Sequence, residues 1–209
     1  AVVLALAMYY DWLSPEKVSR PFWVILPLII TLIPAGLTFV QPDLGTSLLI
    51  LASGGVIMFL AGVSIWYFIA AIISVVGVVS AVLLSWGTSW QLLKDYQYRR
   101  IEIFLNPELD PLGSGYHISQ SKIALGSGGF NGRGFMEGTQ TRLNFLPEKH
   151  TDFIFTTLAE EFGYVGTSFL LLLYALIIAF CVHAMLINRD RFGALLIGGV
   201  AATFFFYFA

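Results

Sequence analysis

Long stretches of this chain carry no Asp, Glu, Lys or Arg, and they set its architecture. Residues 21–41, 44 up to Lys94, and 162–188 are such stretches, the second interrupted at Gly62-Val63-Ser64. A helix rises about 1.5 Å per residue and the hydrocarbon layer is about 30 Å thick, so about 20 apolar residues cross once. The pattern predicts complete spans over about 22–40, 44–61, 65–86 and 164–187. Residues 1–12 and 192–209 read as partial spans: Ala1 opens without Met inside one apolar run and Ala209 closes inside another, as in a middle piece cut from a longer protein. The expected fold is all-α, a polytopic integral membrane protein with a single membrane domain, 1–209, and one large polar loop, 87–163.

Composition agrees with the pattern. Hydrophobic residues make up 57% of the chain and charged ones 11%, against about 25% charged in soluble domains; such a chain cannot cover a water-facing surface. The net charge of −2 excludes polybasic attraction to nucleic acid. Cys181 is the one cysteine, so there is no internal disulfide. If each run crosses once, loops 14–21, 62–64 and 188–191 share a side and carry Lys17, Arg20, Arg189 and Arg191. The short loop 41–43 opposite has no Lys or Arg, so the positive-inside rule puts the large loop outside the cytoplasm.

Several polar positions interrupt this apolar background. Pro27 and Pro34 mark the second span as a bent interior helix. Asp43, directly before a helical run, reads either as an N-cap or as a functional acid at the membrane boundary. In the large loop, Trp90 to Leu105 reads as an amphipathic surface helix with Gln97 and Arg100 on one face. Arg100 either snorkels to head groups or turns inward to hold a phosphate, which a guanidinium fork matches. His117 to Leu125 reads as a short helix with Gln120 and Lys122 as its polar members. Gly126-Ser127-Gly128-Gly129-Phe130-Asn131-Gly132-Arg133-Gly134 fits neither a P-loop nor a dinucleotide fingerprint; it reads either as a flexible loop whose backbone approaches a ligand or membrane closely or as an irregular connection.

The densest chemistry is Leu146-Pro147-Glu148-Lys149-His150-Thr151-Asp152-Phe153, two carboxylates, an amine and an imidazole immediately before apolar sequence. Thr151 or Asp152 caps a helix running to Glu160-Glu161, with Gly163 interrupting it. Alternatively Asp152 is a base, with Arg100, Lys122, Arg133 and Arg142 as counter-charge for an anionic leaving group. His117, His150 and His183 are too dispersed for a metal motif, and no G-x-S-x-G elbow occurs. His183, inside a span, reads as a packed helix residue.

Gln41-Pro42-Asp43-Leu44-Gly45-Thr46-Ser47, Asp95-Tyr96-Gln97 with Arg100, Asp110-Pro111-Leu112-Gly113-Ser114-Gly115-Tyr116, Gln120-Ser121-Lys122-Ile123-Ala124, and Leu146 through Phe155 together resemble the SEDS family (shape, elongation, division, sporulation). The Gln-Ser-Lys-Ile-Ala segment with Gly126-Ser127-Gly128-Gly129 is more similar to its rod-shape branch, RodA, than to its division branch, FtsW. The resemblance implies a ten-helix bacterial inner-membrane peptidoglycan glycosyltransferase polymerising lipid II during elongation, of which this chain holds the fourth to ninth helices. It makes Asp152 the essential acid, and Asp43, Gln97 and Arg100 polar residues of the central cavity. Gln120, Lys122, Glu148, Lys149 and His150 are expected to bind substrate. Asn144 stands where many relatives carry Glu, which leaves Glu148 as the nearest second acid. A divalent cation, Mg or Mn, with unknown ligands is expected, as are a class B penicillin-binding protein transpeptidase and the elongation machinery as partners. The alternatives are a flippase for lipid-linked precursor and a scaffold that activates a transpeptidase.

Overall fold

The computed structural model describes residues 1–41, 43–85, 102, 114–135, 137 and 154–208. Among them all regular structure is helical: α1 (Val2–Trp12), a 3-10 turn (Pro15–Lys17), α2 (Pro21–Val40), α3 (Leu44–Leu60), α4 (Ile65–Leu84), α5 (Ser114–Ser127), α6 (Ile154–Ile187) and α7 (Arg191–Phe208). α2, α4 and α6 are long and apolar enough to cross a membrane, and α1, α3 and α7 are shorter apolar helices. α4 has no buried residue, although it carries no charged side chain and most of its residues are apolar. An apolar helix with none of its residues buried by protein is stable in lipid, not in water. The chain is a polytopic membrane protein. It divides into two compact units, residues 1–76 with 174–209, and residues 77–173.

In the first unit α3 packs against α7, α2 and α1. The core comprises Leu6, Ala7 and Tyr10 of α1, Val24 of α2, Ile57 and Met58 of α3, and Leu195 of α7. Lipid is as apolar as these side chains, so close packing has to replace the hydrophobic drive, and small residues permit it. A Cβ on Gly54 would strike Thr31 of α2, and one on Gly199 would strike Val3 and Ile57.

Pro27 and Pro34 lie inside α2. Proline has no N–H, so the carbonyl four residues earlier loses its helical donor. For Pro27 that carbonyl belongs to Trp23, and the Tyr9 hydroxyl of α1 donates to it at 2.8 Å. The Thr31 and Thr38 hydroxyls donate to the Pro27 and Pro34 carbonyls at 2.9 and 3.2 Å. The carbonyl freed by Pro27 is thus satisfied within protein.

Three short connections meet at one end of this unit. Arg191 donates to the Leu13 carbonyl at 2.8 Å and to the Ala61 carbonyl at 3.5 Å. The Ser19 hydroxyl donates to Gly62 O, and the Tyr67 hydroxyl to Ser19 O. Asp43 stands at the opposite end of α3, about 25 Å away at the helical rise.

The second unit contains a helix broken and repaired. Gly163, inside α6, adopts φ 63°, ψ −159°, a backbone region that favours glycine. In an unbroken helix the Tyr164 and Val165 N–H groups would donate to the Glu160 and Glu161 carbonyls. Here Tyr164 and Val165 donate instead to the Gly129 and Phe130 carbonyls at 2.9 and 3.2 Å. The Glu160 and Glu161 carbonyls accept from the Arg133 and Gly134 N–H groups, both at 3.0 Å. All four groups released by the break are taken up by residues 129–134. The glycine-rich segment packs closely on protein, the backbone of α6, an arrangement outside both expected readings. The expected amphipathic helix Trp90 to Leu105 lies, apart from Glu102, outside the described residues.

Candidate functional site

Asp43 is exposed and caps α3: its Oδ1 accepts the Thr46 N–H at 3.0 Å. Hydrogen bonding from Thr46, side chain first and backbone second, holds the Asp43 carboxyl below its ordinary range. The capping side of the sequence alternative is thus met, and the carboxylate stays charged at the helix N-terminus, where the dipole favours an anion. Its base is firmly fixed. The Ser47 hydroxyl donates to Ala35 O of α2 at 2.8 Å, and the Asp43 N–H donates to Thr38 O at 3.2 Å. Thr46 also borders a cleft of about 280 Å³ lined by Pro34, Leu49, Ser53, Thr203 and Tyr207. The Thr203 hydroxyl lies 3.3 Å from that of Ser53, so the cleft is apolar with a short hydroxyl row.

Gln120 and Lys122 are both on α5. Positions two apart on a helix do not share a face. Gln120 is half-buried on the side of fully buried Ala124, while Lys122 is exposed, so these two expected substrate ligands point apart. Arg133, expected among the counter-charges, has its Nε on the Ser127 carbonyl at the C-terminal end of α5, at 3.3 Å, and its backbone N–H on Glu160 O. Asp152, Gln97, Arg100, Glu148, Lys149 and His150 lie outside the described residues, as do Arg142 and Asn144. Among the described residues no group of three or more His, Cys, Asp or Glu could hold a metal ion, and Asp43 gathers no such set.

Two features were not foreseen. Arg191 was expected only as part of a positive loop, whereas it ties together the ends of α1 and α3. Glu160 is fully buried on α6 beside the loop that repairs the break. The signal for the latter was the pairing of a multi-glycine segment with a glycine inside a helical run.

The family model of the FtsW, RodA and SpoVE cell cycle proteins matches residues 1–209. The chain belongs to this family, the SEDS family. Among curated relatives it is 46% identical over 180 residues to a protein of Escherichia coli K12 named peptidoglycan glycosyltransferase MrdB, covering 86% of this chain and 47% of that one. It is 45% identical over 128 residues to Treponema pallidum peptidoglycan glycosyltransferase RodA, covering 60% and 30%. It is 37% identical over 186 residues to a probable FtsW of Aliivibrio salmonicida, covering 86% and 44%. This SEDS chain spans about half the length of the curated relatives it matches. A solved structure described as the structural coordination of polymerization and crosslinking by a peptidoglycan synthase complex superposes with a TM-score of 0.71 at 29% identity, covering 97% of this chain and 53% of that one.

Proposed function

We propose that the protein polymerises lipid II into glycan strands as a RodA-type peptidoglycan glycosyltransferase. The observation that carries this reading is the 46% identity over 180 residues to a relative named for that activity. Asp152 takes the proton from the 4-hydroxyl of the acceptor GlcNAc. The freed oxygen attacks the anomeric carbon of the donor MurNAc and inverts it, and the bond to undecaprenyl pyrophosphate breaks. Arg100, Lys122 and Lys149 receive the developing diphosphate charge. Gln97, Gln120, Glu148 and His150 bind the sugars and peptide, and Asp43 is an anionic contact at the rim. The cleft beside Thr46 and the uncovered faces of the apolar helices serve the prenyl tails. The end bearing Lys17, Arg20, Arg189 and Arg191 faces the cytoplasm of the inner membrane, and the large loop faces outward, where a class B penicillin-binding protein of the elongation machinery crosslinks the product.

A Mg or Mn ion belongs to this proposal as an added counter-charge. The described residues do not fit one, so no step is routed through it; chelation with EDTA followed by Mg or Mn addition tests the need. Purified full-length protein given lipid II in detergent, where no membrane sides exist, tests the activity itself. Polymer formation supports the enzyme, and its absence under conditions active for a relative leaves a flippase or a scaffold.

A further inference from the structure

The break in α6 is built rather than merely permitted. Gly128, Gly132 and Gly163 each sit where a Cβ would collide with opposing backbone: Gly128 with Ala159, Gly132 with Glu161, and Gly163 with Gly132. Gly132 and Gly163 also have positive φ, 79° and 63°. Outside the backbone seam, Phe130 stacks on Tyr164 with ring centroids 5.7 Å apart, and Phe135 lies against Phe162 at 6.2 Å. The Thr167 hydroxyl, one turn on, donates to Gly163 O at 3.0 Å. A bend held only by glycine would leave its angle free, whereas four bridging backbone hydrogen bonds fix it.

We propose that residues 128–134 are a positioning wedge. By taking over the hydrogen bonds α6 forgoes at Gly163, they set the direction of residues 154–162, the segment that follows the proposed base Asp152 in the sequence. Gly132 and Gly163 are positioning residues for glycosyl transfer; this rests on reading Asp152 as the base. The segment 154–162 is about 13 Å long, so a tilt of about 10° displaces its far end by about 2 Å. A displacement of about 1 Å can lower a rate about a hundredfold.

The test uses full-length enzyme with Cys181→Ser, in detergent with lipid II. Gly163→Ala and Gly132→Ala should each lower kcat about 10–100-fold while KM stays within about twofold. Gly126→Ala, whose Cβ meets open space, should match the parent. If the glycine variants fail to fold, the pair Phe130→Cys with Tyr164→Cys decides: the oxidised, locked wedge should keep at least about half of kcat. Loss of activity on oxidation that returns on reduction shows that the wedge must open and overturns the proposal, as does full kcat in Gly163→Ala. Asp152→Asn is assayed alongside. If it is inactive while the glycine variants are normal, the wedge alone is refuted. If it polymerises at the parent rate, the reading beneath the proposal is refuted.

Discussion

The Tyr9 hydroxyl of α1 supplies the Trp23 carbonyl of α2 with the hydrogen bond that Pro27 cannot give. Tyr9→Phe keeps the ring and removes only the donor. It should destabilise the protein by about 0.5–1.5 kcal/mol, toward the low end because polar bonds between membrane helices average about 0.6 kcal/mol. A lower thermal midpoint in detergent checks this. If Pro27→Ala is introduced as well, α2 recovers its own donor and the effect of Tyr9→Phe should shrink. An equal effect in both backgrounds would break the link between the proline and the tyrosine.

Arg191 bonds two carbonyls that cap the C-terminal ends of α1 and α3. Those carbonyls have no helical donor, and a cation there complements the helix dipole. Arg191→Ala should weaken this end by about 1–2 kcal/mol, seen as faster amide exchange at residues 13–18 and 61–64. Arg191→Lys should recover only part of it, because an ammonium donates from a single nitrogen and cannot reproduce the fixed spacing of the two guanidinium nitrogens that reach Leu13 O and Ala61 O. Unchanged exchange in Arg191→Ala would reduce the residue to a lipid-facing charge.

Asp43 combines a cap and a charge, and the two can be separated. Asn caps nearly as well as Asp, so Asp43→Asn should hold the wild-type thermal midpoint while Asp43→Ala lowers it. If the charge serves substrate, polymerisation falls in both. Since the folded-state pKa lies below the unfolded one, the stabilisation is complete above the unfolded value and is lost as pH falls through the folded value. Wild type and Asp43→Asn should therefore lose stability differently only below the ordinary carboxylate range. Divergence near neutral pH would contradict the exposed cap.

Much of the fold was legible because lipid imposes a coarse requirement: α2, α3, α4 and α7 occupy runs whose lack of charge is visible in the sequence. The break at Gly163 was visible too, since glycine disrupts a helical run. Its repair was not. The groups that mend it are backbone N–H and C=O at 129–134, about thirty residues away, and backbone carries no sequence label. The same limit hid Arg191, whose partners are carbonyls. Gln120 and Lys122 could have been separated from spacing alone, because two helical positions are about 200° apart. Of the expected site, Asp43, Gln120 and Lys122 are located; Gln97, Arg100, Glu148, Lys149, His150 and Asp152 lie outside the described residues.

The central claim is that Asp152 is the base for glycosyl transfer, and the most direct measurement is the initial rate of glycan formation from lipid II by purified Asp152→Asn protein beside wild type. A positioned base contributes about 10²–10⁴ in rate, so the variant should fall by that factor while its thermal midpoint and membrane insertion match wild type. Glycan formation by Asp152→Asn at the wild-type rate would contradict the account.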